Sequence, residues 1–282
     1  MRFIFSTGSL WTYGTERCFD FAARAGFDGV EVMADERWDT RQAAYLRRLA
    51  TTHGQRIVAV HSPFSLAVPG WPADEVGRIH AALALAEEVG ASVLVHHLPT
   101  WLGTATLRLG GWQARVPVPG WDADAVYRRW LEDGYAATQA ATSVTMCIEN
   151  MPARSLLGWR WNAHTWNFSA EIARFPAITL DTTHLGTWGQ QPADVYPRLR
   201  DKVRHIHLSN YDGHEHRLPE RGGLKLNLLL ARLAADGYSG TVSFELAPDA
   251  LQAGADDAIV AKLLTASLAQ CRVWAADLPA PH

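Results

Sequence analysis

The sequence predicts an α/β chain folded as one (β/α)8 barrel over residues 1–282, with eight parallel strands closed inside a ring of helices. Three observations predict it. Short β-like runs alternate with longer amphipathic helical patterns from one end to the other, the signature of repeated βα units. The runs number eight, as closure of such a barrel requires. Two joints far apart resemble each other, Ala25-Gly26-Phe27-Asp28-Gly29 and Asp236-Gly237-Tyr238-Ser239-Gly240, and each reads as a helix-ending turn that hands the chain to a strand. A barrel of this kind commonly takes about 250 residues, and no linker-like stretch divides the chain, so a single domain is the economical reading.

In order, strands are expected near Arg2–Ser6, Gly29–Met33, Arg56–His61, Ser92–His97, Val144–Glu149, Ala177–Asp181, Val203–Leu208 and Thr241–Leu246. Between them, apolar residues recur at three-and-four spacing over Gly14–Ala25, Thr40–His53, Ala73–Val89, Ala123–Ala141, Leu224–Ala235 and Asp256–Val273, which predicts helices there. Two connections exceed ordinary turns: Leu98–Trp121 after the fourth strand and Met151–His164 after the fifth, both rich in Trp, Gly and Pro. Loops of that length usually form lids or binding walls. Trp101, Trp112, Trp121, Trp159, Trp161 and Trp166 fall in or beside them, and their rings either stack on a sugar or base or bury the loops against the barrel rim.

Composition narrows the chemistry. Lys plus Arg total 26 against 29 Asp plus Glu, a formal net charge of -3, so no global field attracts a polyanion. Cys18, Cys147 and Cys271 are far apart and form no CxxC pair, which suits a reducing compartment. The opening Met1-Arg2-Phe3-Ile4-Phe5 is too short for a signal segment and no apolar run approaches membrane length, so a cytoplasmic protein with no membrane partner is expected.

In barrel enzymes the active site lies at the C-terminal ends of the strands. Those positions here carry ionisable residues again and again: His61 in Val-Ala-Val-His, His96 and His97 in Leu-Val-His-His, Glu149 in Cys-Ile-Glu, Asp181 in Thr-Leu-Asp, His207 in His-Ile-His and Glu245 in Ser-Phe-Glu. Each follows an apolar run, where a charge without a partner is expensive. A divalent cation supplies that partner, since it offsets several carboxylates and coordinates neutral imidazole. His205 and His207 alternate on one face, with His207 nearer the mouth. Periodicity does not settle whether His96 or His97 points inward, and the run Val93-Leu94-Val95-His96 favours His96. Asp181 reads also as a cap for the following helix.

Other mechanisms lose their residues. Lys202 precedes the seventh strand, and Lys225 and Lys262 lie in helix candidates; none sits at a catalytic strand end, against a Schiff-base aldolase. No GxSxG elbow, Walker A loop or strand-linked GxGxxG is present.

Along nearly its whole length the sequence resembles the xylose isomerase-like TIM-barrel superfamily, which holds sugar isomerases and epimerases, inosose dehydratases and zinc AP endonucleases of the endonuclease IV type. The resemblance is carried by Gly-Phe-Asp-Gly-Val-Glu (26–31), His-Ser-Pro-Phe (61–64), Ile-Glu-Asn (148–150), Leu-Asp-Thr-Thr-His (180–184), His-Ile-His-Leu-Ser-Asn (205–210) and Phe-Glu-Leu (244–246). For the isomerase branch it implies a metal held by Glu149, Asp181, His207 and Glu245. The two glutamates then act as catalytic acid and base on a sugar, sugar phosphate or polyol, through a metal-stabilised enediolate. His184 would orient a substrate oxygen or support a metal ligand from behind, and Arg217, Trp112 and Trp161 are expected substrate contacts. Zinc or manganese is the expected ion, with magnesium, cobalt or iron admitted by the same donors. Family members often pair, which makes a homodimer the expectation.

The endonuclease branch is the alternative: a zinc phosphodiesterase acting on abasic DNA. His61, His96 and His184 match its further ligand positions, and Asp212-Gly213-His214-Glu215-His216 resembles its Asp-x-His-Glu-His run, so Asp212 and His214 are candidate ligands of additional metal ions. The shorter stretch from His207 to Asp212, the departure at Pro219-Glu220-Arg221-Gly222-Gly223 and the net charge of -3 make nucleic acid the less favoured partner. A barrel that binds metal and ligand without catalysis is a third class, which intact Glu149 and Glu245 argue against.

Overall fold

The computed structural model describes residues 1–64, 67–101, 104–109, 112–117, 124–156 and 159–276. Eight strands close into a barrel: β1 (Arg2–Ser6), β2 (Val30–Met33), β3 (Ile57–His61), β4 (Val93–His97), β5 (Thr145–Glu149), β6 (Ile178–Asp181), β7 (Val203–Leu208) and β8 (Thr241–Phe244). Each pairs in parallel with its neighbours in the sequence, and β1 closes the ring onto β8 through Arg2 to Thr241 and Phe5 to Phe244. Strands covered on both faces are apolar almost throughout. Ile4, Val58, Ala59, Val93, Val95, Cys147 and Ala177, on or beside the strands, form one buried cluster inside the barrel. A far larger cluster joins the outward faces to the helices.

The helices are α1 (Thr15–Ala25), α2 (Ala43–Thr52), α3 (Glu75–Val89), α4 (Ala125–Asp133), α5 (Tyr135–Ala140), α6 (Ser169–Ile172), α7 (Thr182–Thr187), α8 (Pro192–Leu199), α9 (Leu226–Ala235) and α10 (Asp257–Ala276). The two recurring joints behave as their sequences imply. Gly26 ends α1 at φ 85 with its N–H donating to Ala22 and Ala23, and Gly237 follows α9 at φ 65. Where one long helix is expected over Ala123–Ala141, Gly134 divides α4 from α5, and a Cβ there would meet the Trp130 ring at 2.7 Å.

Both long connections contain antiparallel hairpins rather than irregular loops: Thr104–Leu109 with Trp112–Pro117, and Arg154–Leu156 with Trp159–Trp161. Their bases are tied together on the C-terminal side of the barrel. Thr100 bridges His164, Trp101 N–H donates to Ala163 O at 3.1 Å, and Trp101 Nε1 donates to Asn162 O at 2.6 Å. The three cysteines are free and buried, as core residues. Among the described residues no helix is long and apolar enough to cross a membrane.

Candidate metal centre

Period-two alternation in a parallel barrel sends every second side chain inward, and the last inward position of a strand opens on the C-terminal mouth. Glu149 ends β5, Asp181 ends β6, His207 lies one residue from the end of β7 and Glu245 directly follows β8. One ligand atom from each of these four lies within 4.8 Å of the others. Nδ1 of His207 stands 2.9 Å from Glu149 Oε1, 2.9 Å from Glu245 Oε2 and 3.8 Å from Asp181 Oδ2. Asp181 divides its two oxygens between two tasks. Oδ1 accepts the His184 N–H at 2.7 Å as the N-cap of α7, while Oδ2 is buried with no hydrogen-bond partner. An unpartnered buried carboxylate oxygen beside two further carboxylates and an imidazole is a donor set that suits a divalent cation.

The electrostatics fit the same reading. Burial raises the Asp181 pKa well above the ordinary carboxylate range, and the charges of Glu149 and Glu245 push it the same way. For Glu149 burial acts upward as well, but the His207 charge and hydrogen bonds from His207, His61 and His97 outweigh it and hold the group well below its usual range. Glu245 is set at about 2 by the same contest of burial against His207. Burial opposes charge on His207 in turn, and Glu245, Glu31 and Glu149 overcome it, holding the imidazole well above its ordinary pKa. Without a metal ion, His207 carries the positive charge that balances the carboxylates.

Further histidines ring the cluster. His61 turns Nε2 to Glu149 Oε2 at 3.2 Å and donates Nδ1–H to Ser62 O, and His97 approaches the same Oε2 at 3.3 Å. His184 donates Nδ1–H to Asn150 O at 2.7 Å and faces Glu215 Oε2 with Nε2 at 3.8 Å, beside the His216 ring. The Asn150 amide braces Asp181 on both sides, accepting its N–H and donating to its carbonyl. Of the further groupings able to hold an ion, two adjoin the first without using His207: His61, His97 and Glu149, and His184, Glu215 and His216.

Several expected site residues stand elsewhere. His97, not His96, is the inward histidine of β4. Val93 and Val95 belong to the cluster inside the barrel, so His97 shares their face, whereas His96 points outward among the rings of Tyr127, Trp130 and Tyr135. Its Nδ1 bonds the Tyr127 hydroxyl at 2.7 Å, and burial holds it neutral, with a pKa of about 3. Asp212 and His214 pair with each other on an exposed turn, their side chains 47% and 78% exposed. The positive φ values of Gly213 and His216 steer that turn so that Glu215 and His216 reach His184 instead. Arg217 is engaged by Asp249 at 2.8 Å and Asp212 at 3.8 Å. Trp161 sits half-buried in the second hairpin, and the side chain of Trp112 lies outside the described residues.

One residue of this region was not singled out from the sequence. Glu31, in the middle of β2, is wholly buried and takes hydrogen bonds from His205 at 2.6 Å and His207 at 3.3 Å. The signal was present in Val-Glu-Val-Met, a carboxylate inside an otherwise apolar strand.

Comparison with known proteins places these features in context. Proteins called uncharacterized from Mycobacterium tuberculosis and Mycobacterium bovis are 26% identical over 264 residues, covering 86% of this chain and 87% of theirs. Among solved structures, a D-psicose 3-epimerase crystallised in the presence of D-fructose superposes with a TM-score of 0.67 at 18% identity, covering 98% of this chain and 99% of its own. The 3-keto-D-glucoside 4-epimerase of E. coli gives 0.66 at 21% identity over 97% and 99%. An AP endonuclease, family 2, from Brucella melitensis gives 0.62 at 19% identity over 87% and 93%. At these identities the structures establish the fold alone. The model of the xylose isomerase-like TIM barrel family matches residues 19–263, and the chain belongs to that family.

Proposed function

We propose that this chain is a divalent-metal-dependent isomerase or epimerase of a sugar, sugar phosphate or polyol, with Glu149 and Glu245 as the proton-transferring pair. The observation that carries the reading is their placement: both carboxylates stand 2.9 Å from one atom, His207 Nδ1, and so face each other across a common point at the barrel mouth. Glu149, Asp181, His207 and Glu245 would hold the ion, which supplies positive charge that polarises a carbonyl and a neighbouring hydroxyl. One glutamate removes the proton from the carbon beside that carbonyl and the other returns a proton to it, from the opposite face in an epimerisation. His97 and His184 flank the pair and offer imidazole nitrogens to substrate oxygens. Phe64, 63% exposed and stacked on His97 with ring centroids 6.4 Å apart, offers an apolar face to a sugar ring.

Solved epimerases of the same fold support this direction. Incubating metal-reconstituted protein with a panel of ketoses in D2O tests it. Deuterium should enter at the carbon next to the carbonyl, and Glu149→Gln or Glu245→Gln should stop the exchange. Exchange that persists in both variants contradicts the assignment.

A second reading, a zinc phosphodiesterase acting on abasic DNA, draws support from the two adjoining groupings, which would suit a cluster of ions. The outward turn of Asp212 and His214 weighs against it. Two or three zinc ions per chain and cleavage of abasic DNA would favour it.

A further inference from the structure

Below the metal centre the barrel holds a second polar layer that the proposed proton transfer does not use. Glu31 from β2 reaches across the interior to β7, where Oε2 lies 2.6 Å from His205 Nε2 and 3.3 Å from His207 Nε2. His205 in turn bonds through Nδ1 to the Thr241 hydroxyl on β8. All four side chains are buried to 1% exposure or less. An ionised carboxylate at this depth accepts hydrogen bonds and donates none. Both histidines must therefore present Nε2–H to it. With Nε2 protonated, a neutral His205 can only accept at Nδ1, so the Thr241 hydroxyl donates there.

We propose that Glu31 is a positioning residue for the metal centre: by taking Nε2–H of His207 it keeps that proton in place, so that when an ion replaces the proton on Nδ1 the lone pair of Nδ1 faces Glu149, Asp181 and Glu245. His205, itself held by Thr241, fixes the carboxylate in place from below. Fold stability gives no reason for such an arrangement, because replacing a buried ionic group by apolar residues of similar volume is often neutral or stabilising. A carboxylate behind a metal-binding imidazole fixes both its tautomer and its ring orientation. Both imidazoles bond one oxygen, Oε2, and Oε1 has no hydrogen-bond partner. The Glu31→Gln variant keeps the shape and, with its carbonyl in the place of Oε2, offers both rings a neutral acceptor instead of a charged one, which holds Nε2–H of His207 less firmly and makes that ring a weaker ligand.

This inference rests on the metal-binding reading of the four-residue cluster, and the test separates the two. Zinc affinity is measured by chelator competition on the full-length wild type and on Glu31→Gln, together with the rise in Tm on zinc saturation. The variant should remain folded and bind zinc about 10- to 100-fold more weakly, with a smaller zinc-dependent rise in Tm. A merely structural role would lower Tm equally with and without zinc and leave Kd unchanged, and that result overturns the inference alone. If the wild type binds no zinc, the metal reading falls and this inference with it. Should Glu31→Gln fail to fold, nitrogen-15 histidine spectra of the zinc-loaded wild type decide the matter. His205 and His207 both protonated at Nε2 supports the arrangement, and His205 protonated only at Nδ1 overturns it.

Discussion

Oε2 of Glu245, on the residue after β8, lies 2.9 Å from Nδ1 of His207 on β7, and Oε1 of Glu149 reaches that same nitrogen at 2.9 Å from β5. One imidazole nitrogen thus marks the point on which carboxylates from separate strands converge. Replacement of either glutamate by glutamine keeps size and burial while removing the base. Turnover at saturating metal should fall by about 100- to 10,000-fold with the folded state retained. Circular dichroism and single-turnover rates check both halves of that outcome.

Asp181→Asn should move stability and metal affinity in opposite directions. Asparagine caps a helix as well as aspartate does, so the bond from His184 N–H survives, while the amide relieves the repulsion among three buried carboxylates. Chelated Asp181→Asn should be more stable than chelated wild type by about 1 kcal/mol, and its metal affinity should be lower. Parallel urea titrations with and without metal read both effects.

His96 and His97 are adjacent in sequence but opposite in role. His96→Phe replaces a ring packed among aromatic side chains, and should change stability by no more than about 1 kcal/mol without altering metal affinity or KM. His97→Phe, which removes an imidazole 3.3 Å from Glu149, should raise KM. Steady-state kinetics on the two variants distinguish them.

Acid sensitivity should come in part from His164, whose Nδ1–H donates to Leu98 O at 3.0 Å while Nε2 is buried with no partner. Burial lowers its pKa from 6.5 to about 4. Between those values the unfolded chain binds a proton that the folded chain does not, so stability is lost as pH falls from 6.5 toward 4. The full loss is on the order of 3 kcal/mol. His164→Asn keeps a donor at the position of Nδ1 and cannot titrate. Between pH 7 and pH 5 its urea midpoint should fall less than that of the wild type by the equivalent of roughly 2 kcal/mol.

The barrel was legible because its repeat is written locally. Gly26 and Gly237 punctuate two helices, and all eight strands stand out as short apolar runs. Strand-end chemistry was legible for a related reason: Glu149, Asp181, His207 and Glu245 each interrupt apolar sequence at the position the fold exposes. The phase of β4 was not, because Val93, Leu94 and Val95 are apolar on both faces and give period two nothing to mark. Nor did the spacing of Asp212, His214 and His216 reveal which would turn inward, since two residues with positive φ set that turn. The first hairpin carried a readable sign in Gly110-Gly111 between two β-like runs.

The most direct test of the central claim, that Glu149, Asp181, His207 and Glu245 hold a divalent ion, is the metal-to-chain ratio of purified protein by elemental mass spectrometry, in the wild type and in His207→Ala. Roughly one transition-metal ion per wild-type chain is expected, with loss of that ion in the variant. A wild type that takes up no divalent ion, or a folded His207→Ala that keeps the full complement, would contradict it.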